Sequence, residues 1–222
     1  MKIPEPRTTD HGPRLTGNDN RGSTSWPIKW ISETTSTNSA VLEIAQRKKL
    51  NALALVTDHQ TDGRGQFGRK WLSKSGENLL FSIYFEPDIK PFAASVLTQI
   101  ACQVVVEVLT HYQIPCEIKK PNDILVNGKK ICGILTESSS KGENLEYVIV
   151  GIGLNVNSSE ETLISEATSM KLITQKAYDR SEVLDKILIE FQKQLNQYFS
   201  VIPDKSEGRD PGSKLRFPLA RE

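Results

Sequence analysis

Four short stretches concentrate side chains able to handle phosphate and carboxylate groups. "TDGRGQFGRKW" (61–71) sets Gly63, Gly65 and Gly68 beside Arg64 and Arg69. "KKPNDILVNGKKICGIL" (119–135) surrounds Asn122 and Asp123 with Lys119, Lys120, Lys129 and Lys130, and Gly133 follows. "VGIGLNVN" (150–157) puts Gly151 and Gly153 ahead of Asn155 and Asn157, and "ETTSTN" (33–38) ends in Ser36, Thr37 and Asn38. Glycine lets backbone N–H groups approach an anion, guanidinium and ammonium groups neutralise it, and a carboxylate suits Mg2+. Any one stretch alone reads as an ordinary surface turn. All four lie at the edge of an apolar element, and together they supply what a nucleoside-triphosphate site needs.

The literal G-x-G-x-x-G at 63–68 is not a dinucleotide fingerprint. That motif needs a helix directly after its glycines, whose N-terminus binds the pyrophosphate. Here "RKWLSKSGENLLFSIYF" follows, turn residues and then a strand. A kinase glycine loop does lie between strands, but the chain has no VAIK-like, HRD-like or DFG-like segment to accompany it. What remains is a flexible loop with two arginines that can close over an anion.

The elements that must position these stretches are mixed. "IKWISE" (28–33), "ALALVT" (52–57), "NLLFSIYFE" (78–86) and "LEYVIVGIG" (145–153) read as strands. Asn127-Gly128 between two apolar runs predicts a hairpin. Helices are expected over 36–50, 92–112 and 180–199, the last with Asp179 and Glu182 spaced as a capping box. A hairpin-rich strand set broken by helices predicts an α+β domain, with a mixed, largely antiparallel sheet and helices packed on one face. Residues 1–25 read as a disordered leader, 26–200 as the folded domain and 201–222 as an irregular tail.

The net charge of +1 gives no general pull toward nucleic acid or anionic membrane, and no sequence-specific DNA binding is expected. No apolar run approaches the roughly 18 residues of a membrane span. Three scattered cysteines and three histidines have neither disulfide nor metal-ligand spacing, which suits a reducing, cytoplasmic setting.

In their order and spacing, "STN", "HQTDGRGQFGRKW", "KKPNDILVNGKKICGIL" and "GIGLNVN" resemble the biotin–protein ligases, over about Ile28 to Phe199. The resemblance implies a catalytic domain of the class II aminoacyl-tRNA synthetase type, shared with lipoate–protein ligases. It implies a reaction in which biotin and Mg·ATP give biotinyl-5′-AMP and pyrophosphate. A lysine of a biotin carboxyl carrier domain, as in acetyl-CoA carboxylase, then takes the biotinyl group. No enzyme nucleophile is required, so the work is positioning and charge neutralisation.

By that resemblance Lys130 lies between the biotin carboxylate and the α-phosphate, Lys119 contacts phosphates and Arg64 belongs to the catalytic set. Ser36, Thr37, Asn38 and Gln60 bond the ureido ring. Arg64, Gly65 and Gln66 form the lid over the adenylate, Gly63 joins them among the biotin-binding residues, and Gly133 lets the biotin rings approach the strand. Asn122 and Asp123 face ATP and its Mg2+, and Asn155 the adenine. Trp71 reads either as a pocket wall or as core.

Three features depart from the family's usual pattern. Lys120 stands where members usually have Trp, Gln66 and Phe67 stand where some carry two more arginines, and the tail shows no SH3-like strand pattern. A leader of 25 residues is too short for the winged helix that some members carry, so the ligase-only form is expected. A homodimer stays open. The competing readings are a lipoate ligase or related acyl transferase of the same fold, and an impaired biotin-binding module.

Overall fold

The computed structural model describes residues 26–201, apart from 88, 92 and 93. The expected leader 1–25 lies outside the described residues, as does the expected tail 201–222 except for Val201. The strands are β1 (Ile28–Thr34), β2 (Ala52–Gln60), β3 (Leu79–Phe85), β4 (Glu117–Lys119), β5 (Asp123–Val126), β6 (Lys129–Lys141) and β7 (Asn144–Leu154). The helices are α1 (Thr37–Lys48), α2 (Ala94–His111), α3 (Met170–Thr174) and α4 (Arg180–Val201). One sheet runs β1-β2-β3-β7-β6-β5-β4. Only β1 and β2 pair in parallel, joined by α1; every other neighbour is antiparallel.

β3 lies inside this order, between β2 and β7, and all seven of its residues are buried. That is why "LLFSIYF" reads as an unbroken apolar run rather than an alternating one. Leu79, Phe81, Ile83 and Phe85 face a large core under α2 and α4, while Tyr84 faces a smaller one under α1. α4 contributes Val183, Leu184, Ile187, Leu188, Phe191 and Leu195, a helical stripe of three- and four-residue steps. Trp26 closes this core against Phe85 and Phe191, with centroid distances of 5.9 and 6.2 Å.

The sheet therefore carries helices on both faces, not on one as the strand pattern alone predicts. α1 packs Val41 and Ala45 against Leu53, Leu55, Tyr84 and Ile149, opposite α2 and α4. Contrary to the expectation that no segment has the length and apolarity of a membrane span, α2 has both. Its exposed Gln99, Gln103, Glu107 and Thr110 form a polar side opposite buried Leu97, Ala101, Val104, Val105 and Val108. That is the pattern of a helix packed on a core.

β2 runs three residues past its apolar stretch, because Glu33 and Thr34 of β1 pair in register with His59 and Gln60. Gln60 thus reaches the end of α1. Asn127 (φ 51°) and Gly128 (φ 77°) form the β5–β6 turn, and two successive left-handed residues match the type I′ hairpin the dipeptide predicts.

Candidate active site

On the α1 face the side chains shrink along the sheet. β7 presents Tyr147 and Ile149, then Gly151 and Gly153; β3 presents Tyr84, then Ser82. Gly153 is in register with Gly133 of β6. The result is a bare glycine floor beyond the N-terminus of α1.

With Trp71 and Asn38 in place, neither β7 glycine has room for a side chain. A Cβ on Gly153 would fall 2.6 Å from Trp71 Cε2, and one on Gly151 would overlap Asn38 Oδ1. Trp71 lies across the floor, reaching over Gly133 as well. The remaining cavity is about 50 Å3. A more open cleft of about 870 Å3 lies between the 62–70 loop and Pro121 and Leu135–Glu137.

At the α1 end a hydrogen-bonded polar cluster closes the floor. The Thr37 N–H and hydroxyl both donate to Gln60 Oε1, at 2.8 and 3.1 Å. The single proton of the Ser82 hydroxyl lies between Thr37 Oγ1 (2.7 Å) and Asn38 Oδ1 (2.6 Å). Asn38 Nδ2 donates to Glu137 Oε2 at 2.7 Å and to the Leu135 carbonyl at 3.3 Å. Those two acceptors fix which end of the amide faces Ser82. Ser36 is the α1 N-cap by backbone position, yet its side chain makes no capping bond.

At the other end, cross-strand register lines up Lys119 with Asp123, Asp123 with Gly133, and Gly133 with Gly153. Directly opposed residues share a face, so Lys119 and Asp123 belong to the floor's side. Lys130 reaches it by a different device. Counting by twos from Gly133 would put Ile131 on the floor and Lys130 in the core. Instead the pairing passes from Ile124–Cys132 to Leu125–Lys130 and skips Ile131. Ile131 and Cys132 then both face the large core, fully buried. This bulge returns Lys130 to the floor side. Its Nζ lies 2.6 Å from Asp123 Oδ1 and 5.4 Å from the Trp71 ring centroid.

The glycine loop folds back on itself. Gly65 N–H donates to the Arg69 carbonyl (2.7 Å) and Trp71 N–H to the Gly63 carbonyl (2.8 Å). Arg64 donates to Ser39 Oγ at 3.0 Å and lies 3.5 Å from Glu137 Oε2. Phe67 is 91% exposed with φ 57°.

Asn122 and Asn155 are partly engaged in holding backbone. Asn122 Nδ2 donates to the Ile134 carbonyl at 2.6 Å. Asn155 Nδ2 donates to the Thr168 carbonyl at 3.0 Å, while its buried Oδ1 has no partner among the described residues. Cys102 and Cys132 lie in the large core; burial pushes the Cys102 thiol up to about 11 and the Cys132 thiol well above its ordinary value.

The cavity thus gathers Ser36, Thr37, Asn38, Gln60, Arg64, Gly65, Gln66, Asn122, Lys130 and Gly133. Gly63 sits at the loop base, and Lys119, Asp123 and Asn155 are outside the cavity lining. Two residues in this network were missed in the sequence. Ser82 had a signal, being a serine inside an otherwise apolar interior strand, where a buried polar group needs a partner. Glu137 had none beyond an acid in a strand.

A family model, the biotin/lipoate A/B protein ligase family, matches residues 30–155. The chain belongs to this family. Over 170 residues it is 36% identical to a bifunctional ligase/repressor BirA of Bacillus spizizenii, covering 74% of this chain and 52% of that protein. The chain spans about half the length of such relatives. It is 28% identical over 207 residues to a biotin–[acetyl-CoA-carboxylase] ligase of Mycobacterium tuberculosis, covering 85% and 73% of the two chains. Among solved structures, the Aquifex aeolicus biotin protein ligase in complex with biotin and ATP matches with a TM-score of 0.63 and 36% identity, covering 78% of this chain and 71% of that one. The fold is that of these ligases' catalytic domain.

Proposed function

We propose that this chain is an ATP-dependent biotin–protein ligase. The biotin carboxylate oxygen attacks the α-phosphorus of ATP, pyrophosphate leaves, and biotinyl-5′-AMP forms. A carrier-domain lysine ε-amine then attacks the acyl carbon, and AMP leaves. The observation carrying this reading is the two-ended floor: a polar cluster of hydroxyl and amide groups at the α1 end, backbone bare of side chains at the glycines between, and the Lys130–Asp123 pair at the far end. Biotin has that order, a ureido head, an apolar ring system and a carboxylate tail.

In this reading Ser36, Thr37, Asn38 and Gln60 bond the ureido group, with Gly63 at the base of the closing loop. Lys130 neutralises the carboxylate and α-phosphate as they approach, and Asp123 holds its ammonium in place. Lys119 and Arg64 add positive charge for the phosphates, and Gly65 and Gln66 cover the adenylate. A covering loop keeps water from the mixed anhydride. The unpartnered Asn155 Oδ1 can accept a bond from an adenine amine. Small-ligand pockets are typically about 300–1,000 Å3, so Trp71 moves off the floor when biotin enters.

Among the described residues no group of three or more His, Cys, Asp or Glu could hold a metal ion. Asp123 next to the phosphate-facing lysines fits an ion that arrives already bound to the triphosphate, with Asn122 nearby. Mg2+ there would supply charge neutralisation on the phosphates.

The test is biotin-dependent ATP–pyrophosphate exchange, with thermal shift in biotin or lipoate plus Mg·ATP. Biotin with Mg·ATP should stabilise the protein more than either alone. An equal or larger shift with lipoate would reassign the substrate. Lipoate lacks the ureido group, which would leave the polar cluster's donors and acceptors without partners.

A further inference from the structure

Glu137 of β6 touches both halves of the site. Its Oε2 accepts from Asn38 Nδ2 at 2.7 Å, and the same oxygen lies 3.5 Å from Arg64 Nη2. Asn38 belongs to the buried cluster at the α1 end, whereas Arg64 belongs to the glycine loop. The Asn38 contact is short and charge-assisted, so it holds the amide firmly. With Nδ2 committed to Glu137 and Leu135, Asn38 Oδ1 must face Ser82. The Arg64 contact is longer and about half exposed, and it is reinforced by the bond from Arg64 to Ser39 of α1.

We propose that Glu137 is a positioning residue for the reaction: it orients Asn38 toward the ureido head and ties the glycine loop to the sheet through Arg64. This rests on the biotin-ligase reading above. The two tasks need different chemistry. Orienting Asn38 needs only an acceptor oxygen, which an amide also offers, whereas the 3.5 Å Arg64 contact is mainly Coulombic and weakens when the carboxylate charge is removed. Glutamine at this position therefore separates them. Glu137 is 37% exposed and outside both cores, so replacing it leaves the packing intact.

The experiment compares the parent with Glu137→Ala and Glu137→Gln by biotin KM and kcat in pyrophosphate exchange. Trypsin cleavage of the unliganded proteins after Arg64, Arg69 and Lys70 gives a second readout, and melting temperature controls for folding. Glu137→Ala should raise the biotin KM about tenfold, on the scale of one lost charge-assisted hydrogen bond, with kcat nearly kept. It should also be cut several-fold faster in the loop. Glu137→Gln should keep KM within about twofold of the parent while matching Glu137→Ala in cleavage rate. A merely structural residue would move both readouts together and would not be rescued by the amide. Parent-like KM and cleavage in Glu137→Ala would overturn the proposal, as would Glu137→Gln matching Glu137→Ala in KM. If the parent shows no biotin-dependent exchange, the substrate reading fails separately. Equal cleavage rates in all three proteins would then still overturn the tie between Glu137 and Arg64.

Discussion

The bulge at Ile131 makes a testable distinction between two adjacent lysines. Lys130→Ala removes the cation 2.6 Å from Asp123 and leaves that carboxylate 22% exposed. Because Asp123 keeps water, it escapes the several-kcal/mol penalty of a buried unpaired charge. With Lys130 itself 35% exposed, the lost pair should cost at most about 1 kcal/mol of stability, or roughly 2–4 °C in Tm at this chain length. The effect on chemistry should be larger. Losing a positioned electrostatic donor costs about 2–4 kcal/mol of transition-state stabilisation, roughly 30- to 900-fold in rate. Lys129 is exposed at the hairpin turn, so Lys129→Ala should retain exchange within about threefold, with little change in Tm. Biotin-dependent pyrophosphate exchange on both variants, with circular dichroism melts, gives all four numbers. If Lys130→Ala kept more than about a third of parental exchange, or if Lys129→Ala lost as much, the reacting centre would not lie at the bulged lysine.

Gly151→Ala should destabilise the protein by about 1–3 kcal/mol in urea titration, the usual cost of overpacking, because Asn38 is anchored from both ends and cannot yield to the new Cβ. Its biotin KM should rise in parallel; parental stability with parental KM would show that Asn38 can move freely. Asp179 caps α4 by accepting from the Ser181 hydroxyl and N–H at 2.6 and 2.8 Å, and these bonds hold its carboxyl below the usual aspartate range. Asp179→Ala should therefore cost about 1 kcal/mol at pH 7. A depressed folded-state pKa contributes stability above the unfolded value near 4 and loses it as pH falls through the folded value. The urea midpoints of parent and variant should accordingly converge as pH falls from the unfolded value through the depressed folded one, and a gap that persists in acid would mean the cap works without its charge.

The legible parts of this chain are those where one residue type has one structural use. Asn127-Gly128 predicts a type I′ turn because both positions need φ above zero, and both have it. The α4 stripe predicts a helix because its apolar spacing fits no strand. The unread parts turn on choices that composition leaves equal. Ile131 and Cys132 are both apolar, so nothing in "KKICGIL" reveals that the pair is bulged and that Lys130 changes face. The side of the sheet that α1 covers depends on which strand residues it meets, and β2 and β3 are apolar on both sides. The polar end of β2 carries no hydrophobic signal, yet its pairing with β1 delivers Gln60 to the site. The motif residues of the cavity were readable because glycine, lysine and asparagine in those orders have a family resemblance. Ser82 and Glu137, which hold those residues in place, belong to strands and were passed over as strand.

The division of the α1 face explains how one sheet serves as both core and site. Where β3 and β7 carry Tyr84, Tyr147 and Ile149, α1 covers them permanently with Val41 and Ala45. Ser82 and Gly151 lie under Thr37 and Asn38 at the N-terminus of α1, and beyond it the cover over Gly153 and Gly133 is Trp71, on a loop. That loop is held by two short backbone bonds, the Arg64 contacts, the Lys70–Asp62 pair and the Lys130–Trp71 contact, and its residues belong to neither hydrophobic cluster. Segments with few buried apolar contacts open at low free-energy cost. Trp71 can therefore leave the floor without disturbing either hydrophobic cluster, while the polar end stays fixed by Ser82, Thr37 and Gln60. In the proposed reaction the rigid half would supply recognition and the movable half access, and the boundary between them falls at Asn38 and Glu137.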